Sequence, residues 1–204
     1  MKRDFTGIVP AQYTGEEIEA EASINLDNEY QAKKFYLVAK ERLLNVNNWH
    51  KLAGVISAHF QLTDNTGKEI GRQMHKGDFL KIDIPGPGNK DGDGYDWVCI
   101  EEIKEMSDAN IQSTGFRVRP AKNPDGEKKD TAHFYSDEST SNFIVTREGK
   151  QLTAQIIDRN IKPNEHAHSL TGKIRDTAVG MSAIGMFSKI QWQILAEGIV
   201  KQDV

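Results

Sequence analysis

The stretch SLTGKIRDTAVGMSAIGMFSKIQWQILAEGIVKQDV, running from Ser169 to Val204, decides how the rest of the chain must fold. Leu170, Ile174, Ala178, Met181, Gly185, Ser188, Trp192, Leu195 and Ile199 recur at intervals of three and four, the spacing of one helix face. Val179, Ala183, Met186, Ile190 and Ile194 form a second stripe that widens this face beyond a coiled-coil seam. A face this wide has to be buried, and a curved sheet built from the preceding chain is what can cover it. Gly180 and Gly185 each cost about 1 kcal/mol relative to alanine inside a helix. Ser188 and Gln191 have the spacing of a capping box ahead of Ile190, Ile194 and Leu195. The segment therefore reads as two helices, 169–181 and 188–201, or as one helix kinked near Gly185. The small residues Ala178, Gly185 and Ser188 leave room beneath the stripe, for close strand packing or for a ligand cavity.

Upstream, the apolar period shortens to two. Ile18, Ala20, Ala22, Ile24 and Leu26 alternate with Glu17, Glu19, Glu21, Ser23 and Asn25, which predicts a half-buried strand with a solvated acidic face. Asp27 or Asn28 then caps a helix to about Asn45 with the stripe Ala32, Tyr36, Ala39, Leu43 and Val46, and Trp49 plugs the end of the sheet. Alternation returns at Ala58–Leu62, weakly at Lys68–Gln73, then at Leu80–Ile84, Tyr95–Ile103, Phe116–Val118, Phe143–Thr146 and Leu152–Ile156. The polar stretch 121–138 reads as a loop or as hiding a short strand at His133–Tyr135. Residues 1–16, with Gly7, Pro10 and Gly15, read as an irregular N-terminal arm ahead of a single α+β domain at 17–204. The expectation is about seven antiparallel strands curved around a long C-terminal helix.

Composition narrows the function classes. The 204 residues suffice for one domain with a full core, and a net charge of −4 without a basic stripe argues against nucleic acid as a partner. The one cysteine, Cys99, excludes a disulfide framework and reads as an inert thiol in a strand. No apolar run approaches the roughly 20 residues of a membrane span, and Lys2-Arg3 is followed by no apolar signal region, so a cytoplasmic protein is expected.

The order of strand, helix, short helix, antiparallel meander and long C-terminal helix resembles the helix-grip fold of the START/SRPBCC superfamily, which includes polyketide cyclases and lipid-transfer domains. The pieces that carry the resemblance are the 17–26 strand, the helix ending near Trp49, the 56–158 meander and the 169–201 helix. The resemblance implies an apolar cavity between sheet and helix for a small hydrophobic or lipid-like molecule, with Tyr95, Trp97, Met181 and Met186 as its wall. The alternatives are a cyclase or hydrolase working in the same cavity, which requires a buried histidine or carboxylate there. A filled core acting by surface association, for example as a homodimer, is the third.

Other candidates read as structural. Asn89-Lys90-Asp91-Gly92-Asp93-Gly94 imitates the start of a calcium loop, but its twelfth position is Ile100 rather than an acid, so a turn is expected. His166 and His168 beside Glu165, with His133, could reach one metal ion, yet two loop histidines read first as exposed or capping residues; no metal or cofactor is expected. Arg117, Arg119, Arg147 and Arg159 are expected on an exposed face paired with acids. No Walker loop, dinucleotide fingerprint, G-x-S-x-G or HExxH is present. His59, Asp83 and Asp96 become acid–base candidates only if the assigned strand faces are inverted.

Overall fold

Two edge strands of one sheet are both touched by a single helix, and this fixes the architecture. A computed structural model describes residues 3–54, 58–84, 89–126, 130–164 and 178–202, the side chains of Lys90 and 178–184 excepted. The strands are β1 (Glu16–Asn25), β2 (His59–Thr63), β3 (Phe79–Asp83), β4 (Asp96–Ser107), β5 (Ile111–Pro120), β6 (Thr140–Glu148) and β7 (Gln151–Ile161). Helices α1 (Glu29–Leu44) and α2 (Trp49–Ala53) join β1 to β2, and α3 (Ala178–Val200) follows β7. All neighbouring strands are antiparallel, in the order β1-β7-β6-β5-β4-β3-β2. Laid flat, six inter-strand gaps would separate the edges by about 29 Å, far more than the roughly 10 Å width of a helix. Yet Gln193 Nε2 on α3 donates to Glu21 O on β1 (3.1 Å), while Gln191 Oε1 accepts from Ala58 N–H beside β2 (3.0 Å). The sheet is therefore curled around α3, the helix-grip arrangement.

The apolar periods account for the core. Asn28 caps α1 by accepting from Gln31 N–H, and Ala32, Tyr36, Ala39 and Leu43 turn inward. Trp49 is buried among Phe60, Phe116 and Phe143, with ring centroids 4.9 to 6.0 Å away. Trp192 closes the cluster from α3 against Phe143 (5.3 Å) and Phe60 (6.1 Å). These five aromatic rings fill much of the space inside the curled sheet.

Helix α3 runs without a break through Gly180 and Gly185, so the expected second helix starting at 188 is absent and Ser188 and Gln191 are not a capping box. Ser188 and Gln191 instead face inward and make tertiary hydrogen bonds. A Cβ at Gly185 would meet only Ile18 Cδ1 at 3.8 Å, whereas one at Gly198 would lie 2.6 Å from Leu52 O. The close approach is thus at Gly198, where α3 crosses α2. The expected weak strand at 68–73 reduces to one bridge, Thr63 to Glu69, and the His133–Tyr135 stretch to a bridge from Tyr135 to Pro163.

Two register shifts matter. Glu101 is an extra residue in β4, and its carboxylate binds both Arg117 (2.8 Å) and Arg119 (2.5 Å) on the outer face. In β7, Arg159 and Asn160 together oppose Glu17, and Asn160 adopts the left-handed conformation at φ 57°. Asn160 holds the segment before β1, accepting from Tyr13 N–H and donating to Ala11 O, while Ile8 covers Ile144 and Ile157 on the outer face. Arg159 reaches Glu17 and Glu19. Arg147 departs from the exposed placement: it shares the inner face of Phe143 and Val145 and is fully buried, because strand alternation puts it there.

Candidate functional site

Between the sheet and α3 lies a cavity of about 50 Å³. Its walls are Phe60, Leu80, Ile82, Val98, Val118, Phe143 and Trp192, with Ala58 and the half-buried Ile84, Phe134 and Phe187 also lining it. One end is polar, with His133, Tyr135, Ser141, Ser188 and Gln191. Strand pairing places Ser141 on β6 directly opposite Asp158 on β7, which sits immediately behind that end.

Asp158 continues the inward series Leu152, Ala154, Ile156 and is 1% exposed. The Trp192 indole N–H donates to its Oδ2 at 2.9 Å, and Oδ1 has no hydrogen-bond partner among the described residues. Burial raises its carboxyl to about 6 against the lowering effects of the Ser141 hydroxyl, the Trp192 N–H and the Arg159 charge. His133 is driven the other way, to about 3 by burial, so its ring is neutral, and Nδ1 accepts from Tyr135 N–H at 2.9 Å. Nδ1 is therefore the bare nitrogen of that ring. Burial also pushes the Tyr135 phenol up, and its hydroxyl shares a hydrogen bond with Ser188 at 3.4 Å.

The segment carrying His133 and Tyr135 lies across this end of the sheet. Ala132 O accepts from Trp97 N–H (2.8 Å), Phe134 O accepts from Asn164 N–H (2.9 Å), and the His133 ring stacks on Phe134, which meets Tyr135 at a tilt, both at centroid distances of 4.3 Å. Asp96 holds it from β4. Its buried carboxyl, raised to about 6 by burial, accepts from Asn89 Nδ2 (2.9 Å) and from Phe134 N–H. Asp96 is inward-facing, with Val98 and Ile100, without any inversion of the strand faces.

The other sequence candidates are dispersed. Trp97 packs on the outer face against Gly92, donating to Gly92 O at 3.2 Å, and the Tyr95 ring lies under Lys81 Nζ at 4.1 Å. Met186 is 65% exposed, in an outward stripe with Ile190 and Ile194. None of the three lines the cavity, and the Met181 side chain lies outside the described residues. Asn89 turns its side chain to Asp91 N–H and Asp96 within a 3-10 turn. His166, His168 and Glu165 lie outside the described residues, and among those described no cluster of His, Cys, Asp or Glu is placed to hold a metal ion. Cys99 is half-buried, its thiol pushed up by burial and by Glu101 and Asp78. Among the described residues no helix is long and apolar enough to cross a membrane.

Sequence reasoning missed Asp158, Ser141 and Gln191, whereas Ser188 was among the small residues expected to leave room beneath the stripe. The signal for Asp158 was the period of two, which extends from Ile156 by one step. For Gln191 it was its place beside the apolar stripe of α3, three residues after Ser188 and four before Leu195.

No family model matches the chain, and no curated protein matches it. Similar solved structures include a hypothetical protein, jhp0584, from Helicobacter pylori, with 10% identity, 98% of each chain covered and a TM-score of 0.49. Norcoclaurine synthase from Thalictrum flavum is 9% identical over 96% of this chain and 98% of its own, with a TM-score of 0.37. Ara h 8.0201 is 11% identical over 88% and 99%, with a TM-score of 0.33. The helix-grip assignment rests on the strand order and the gripped helix; likenesses this distant say nothing about the site.

Proposed function

We propose that this chain binds a small, uncharged and largely apolar molecule in the cavity between the sheet and α3. The observation that carries this reading is the cavity itself: apolar walls, one end of hydroxyl and amide groups, and no charged side chain lining it among the described residues. A charged ligand would be stripped of water without a counter-charge, which costs several kcal/mol. Size refines the lipid-like expectation. About 50 Å³ is a third of the roughly 150 Å³ apolar cavity that admits benzene. Trp49 and its aromatic neighbours occupy the space a lipid chain would need. The favoured ligand is a fragment-sized molecule that turns aside the rim side chains Ile84, Phe134 and Phe187.

The test is a titration of the 15N-labelled protein with neutral molecules of up to six non-hydrogen atoms, read at the Trp192 indole N–H. Saturable shifts at Trp192 but not at Trp97 are expected, and Val118→Phe or the rim variant Ile84→Phe should abolish them with the fold retained. Silence at Trp192 across the panel would refute the reading. A second reading, acid–base chemistry at the polar end of the same cavity, is favoured by Asp158, a buried carboxyl raised to about 6 behind that end, which would act on a ligand through the lining residue Ser141 opposite it. Exchange of deuterium from solvent into the methyl groups of acetone, lost in Asp158→Asn, would support it.

A further inference from the structure

Two N–H groups at the polar end of the cavity are oriented by the fold and have no acceptor among the described residues. His133 and Gln191 both line that end and are buried. His133 Nδ1 accepts from Tyr135 N–H at 2.9 Å, which puts the ring proton on Nε2. Gln191 Oε1 accepts from Ala58 N–H at 3.0 Å, which fixes the amide and leaves its NH2 as the free end. Asp158 Oδ1 is a partnerless atom walled in by its neighbours; His133 Nε2 and Gln191 Nε2 are partnerless but not walled in, so each opens onto space. The two groups border one spot. The His133 ring lies 5.7 Å from the Tyr135 ring, the Tyr135 hydroxyl meets Ser188 at 3.4 Å, and Gln191 follows Ser188 by three residues on the same face of α3. The hydroxyls of this end can turn to donate or to accept, but an imidazole or amide N–H only donates. A buried N–H without an acceptor is costly, so a ligand that brings one is favoured over a hydrocarbon of the same shape.

We propose that the polar end of this cavity is a site for the oxygen of a small uncharged carbonyl compound, in its simplest form a ketone or an aldehyde, which accepts from Gln191 Nε2–H and His133 Nε2–H. The inference rests on the binding reading above. A carbonyl oxygen has two lone pairs and can take both donors at once, while the alkyl part of the molecule lies against the apolar walls. Tyr135 N–H and Ala58 N–H are positioning groups, since their bonds set which atoms of His133 and Gln191 are left to face the ligand.

The discriminating pair is acetone and 2-methylpropene, which share a heavy-atom skeleton and differ only in C=O against C=CH2. Titrations of the full chain are read at the Trp192 indole N–H in the wild type and in Gln191→Met, which keeps the side-chain length and has no N–H. The variant is expected to weaken acetone about tenfold relative to 2-methylpropene. Loss of the Ala58 bond alone would weaken the two ligands alike. Two readings need no variant. The proton on His133 Nε2 is expected to move downfield with acetone, as a donor does on gaining an acceptor, and not with 2-methylpropene. The carbonyl signal of bound [2-13C]acetone is expected at or downfield of its position in water, because hydrogen bonds to the oxygen move it that way. An affinity ratio unchanged in Gln191→Met, a His133 Nε2 proton that acetone leaves unmoved, or a bound carbonyl signal displaced towards its position in hydrocarbon would each overturn this inference. With both ligands binding the wild type and both abolished by Ile84→Phe, any of these leaves the binding reading standing. No response to either ligand would overturn both readings.

Discussion

Replacing Asp158 with asparagine should stabilise the protein at neutral pH but not in acid. The carboxyl is raised from 3.8 to about 6 in the folded state. Between those values the unfolded chain releases the proton and the folded chain keeps it, so stability falls as pH rises, with the loss complete above about 6. Each unit is worth about 1.4 kcal/mol, giving a penalty of about 3 kcal/mol at pH 8. Asparagine carries no charge to bury, and its oxygen still accepts from the Trp192 N–H. Its NH2 replaces the partnerless Oδ1 and costs roughly 1 kcal/mol if left unpaired, so the net gain is about 2 kcal/mol. For a chain of 204 residues this corresponds to a rise in Tm of about 4–8 °C at pH 8, vanishing and turning to a slight loss by pH 4. Asp96→Asn is the control. Asp96 is raised to a similar value, but both Asn89 Nδ2 and Phe134 N–H donate to its carboxyl, so one donor loses its acceptor and no comparable gain is expected. Thermal unfolding of the three proteins from pH 4 to pH 8 reads the outcome. An Asp158→Asn gain of equal size at pH 4 and pH 8, or a loss at pH 8, would refute the reasoning.

The buried His133 acts in the opposite sense: with its ring held neutral down to about 3, stability is lost as pH falls below 6.5. His133→Asn, whose oxygen can replace Nδ1 as acceptor for Tyr135 N–H, should flatten that acid limb in urea unfolding measured between pH 7 and pH 4. Gly198→Ala should destabilise by about 2 kcal/mol or more, since its Cβ would meet Leu52 O at 2.6 Å, whereas Gly185→Ala should stabilise by up to about 1 kcal/mol; denaturant midpoints separate the two. Arg147→Met should cost about 3 kcal/mol, because Gln112 Oε1, Gly149 O and Ala109 O lose their donors, and Arg147→Lys should restore little of it, lacking the planar fork.

The sequence by itself determined the elements and their faces. Residues 18–26 alternate and residues 185–199 repeat every three to four because each element has one buried side, and that periodicity survives in one dimension. It also indicated that the Ser188, Trp192, Leu195 and Ile199 face had to be wrapped by a sheet, but the second stripe expected to widen that face is turned outward at Met186, Ile190 and Ile194. What it left undecided were the consequences of proximity. Gly185 looked like a hinge, yet α3 continues through it, because packing along β1 and β7 outweighs about 1 kcal/mol of propensity. Gly198, unnoticed in the sequence, is where α3 meets α2. Only the tertiary structure brought Asp158 to Trp192 and Ser141, and Tyr135 to Ser188, which β6, β7 and part of α3 separate along the chain. Local pattern records which side of an element is buried; the curl of the sheet decides what that side meets, and the character of the cavity follows from those meetings.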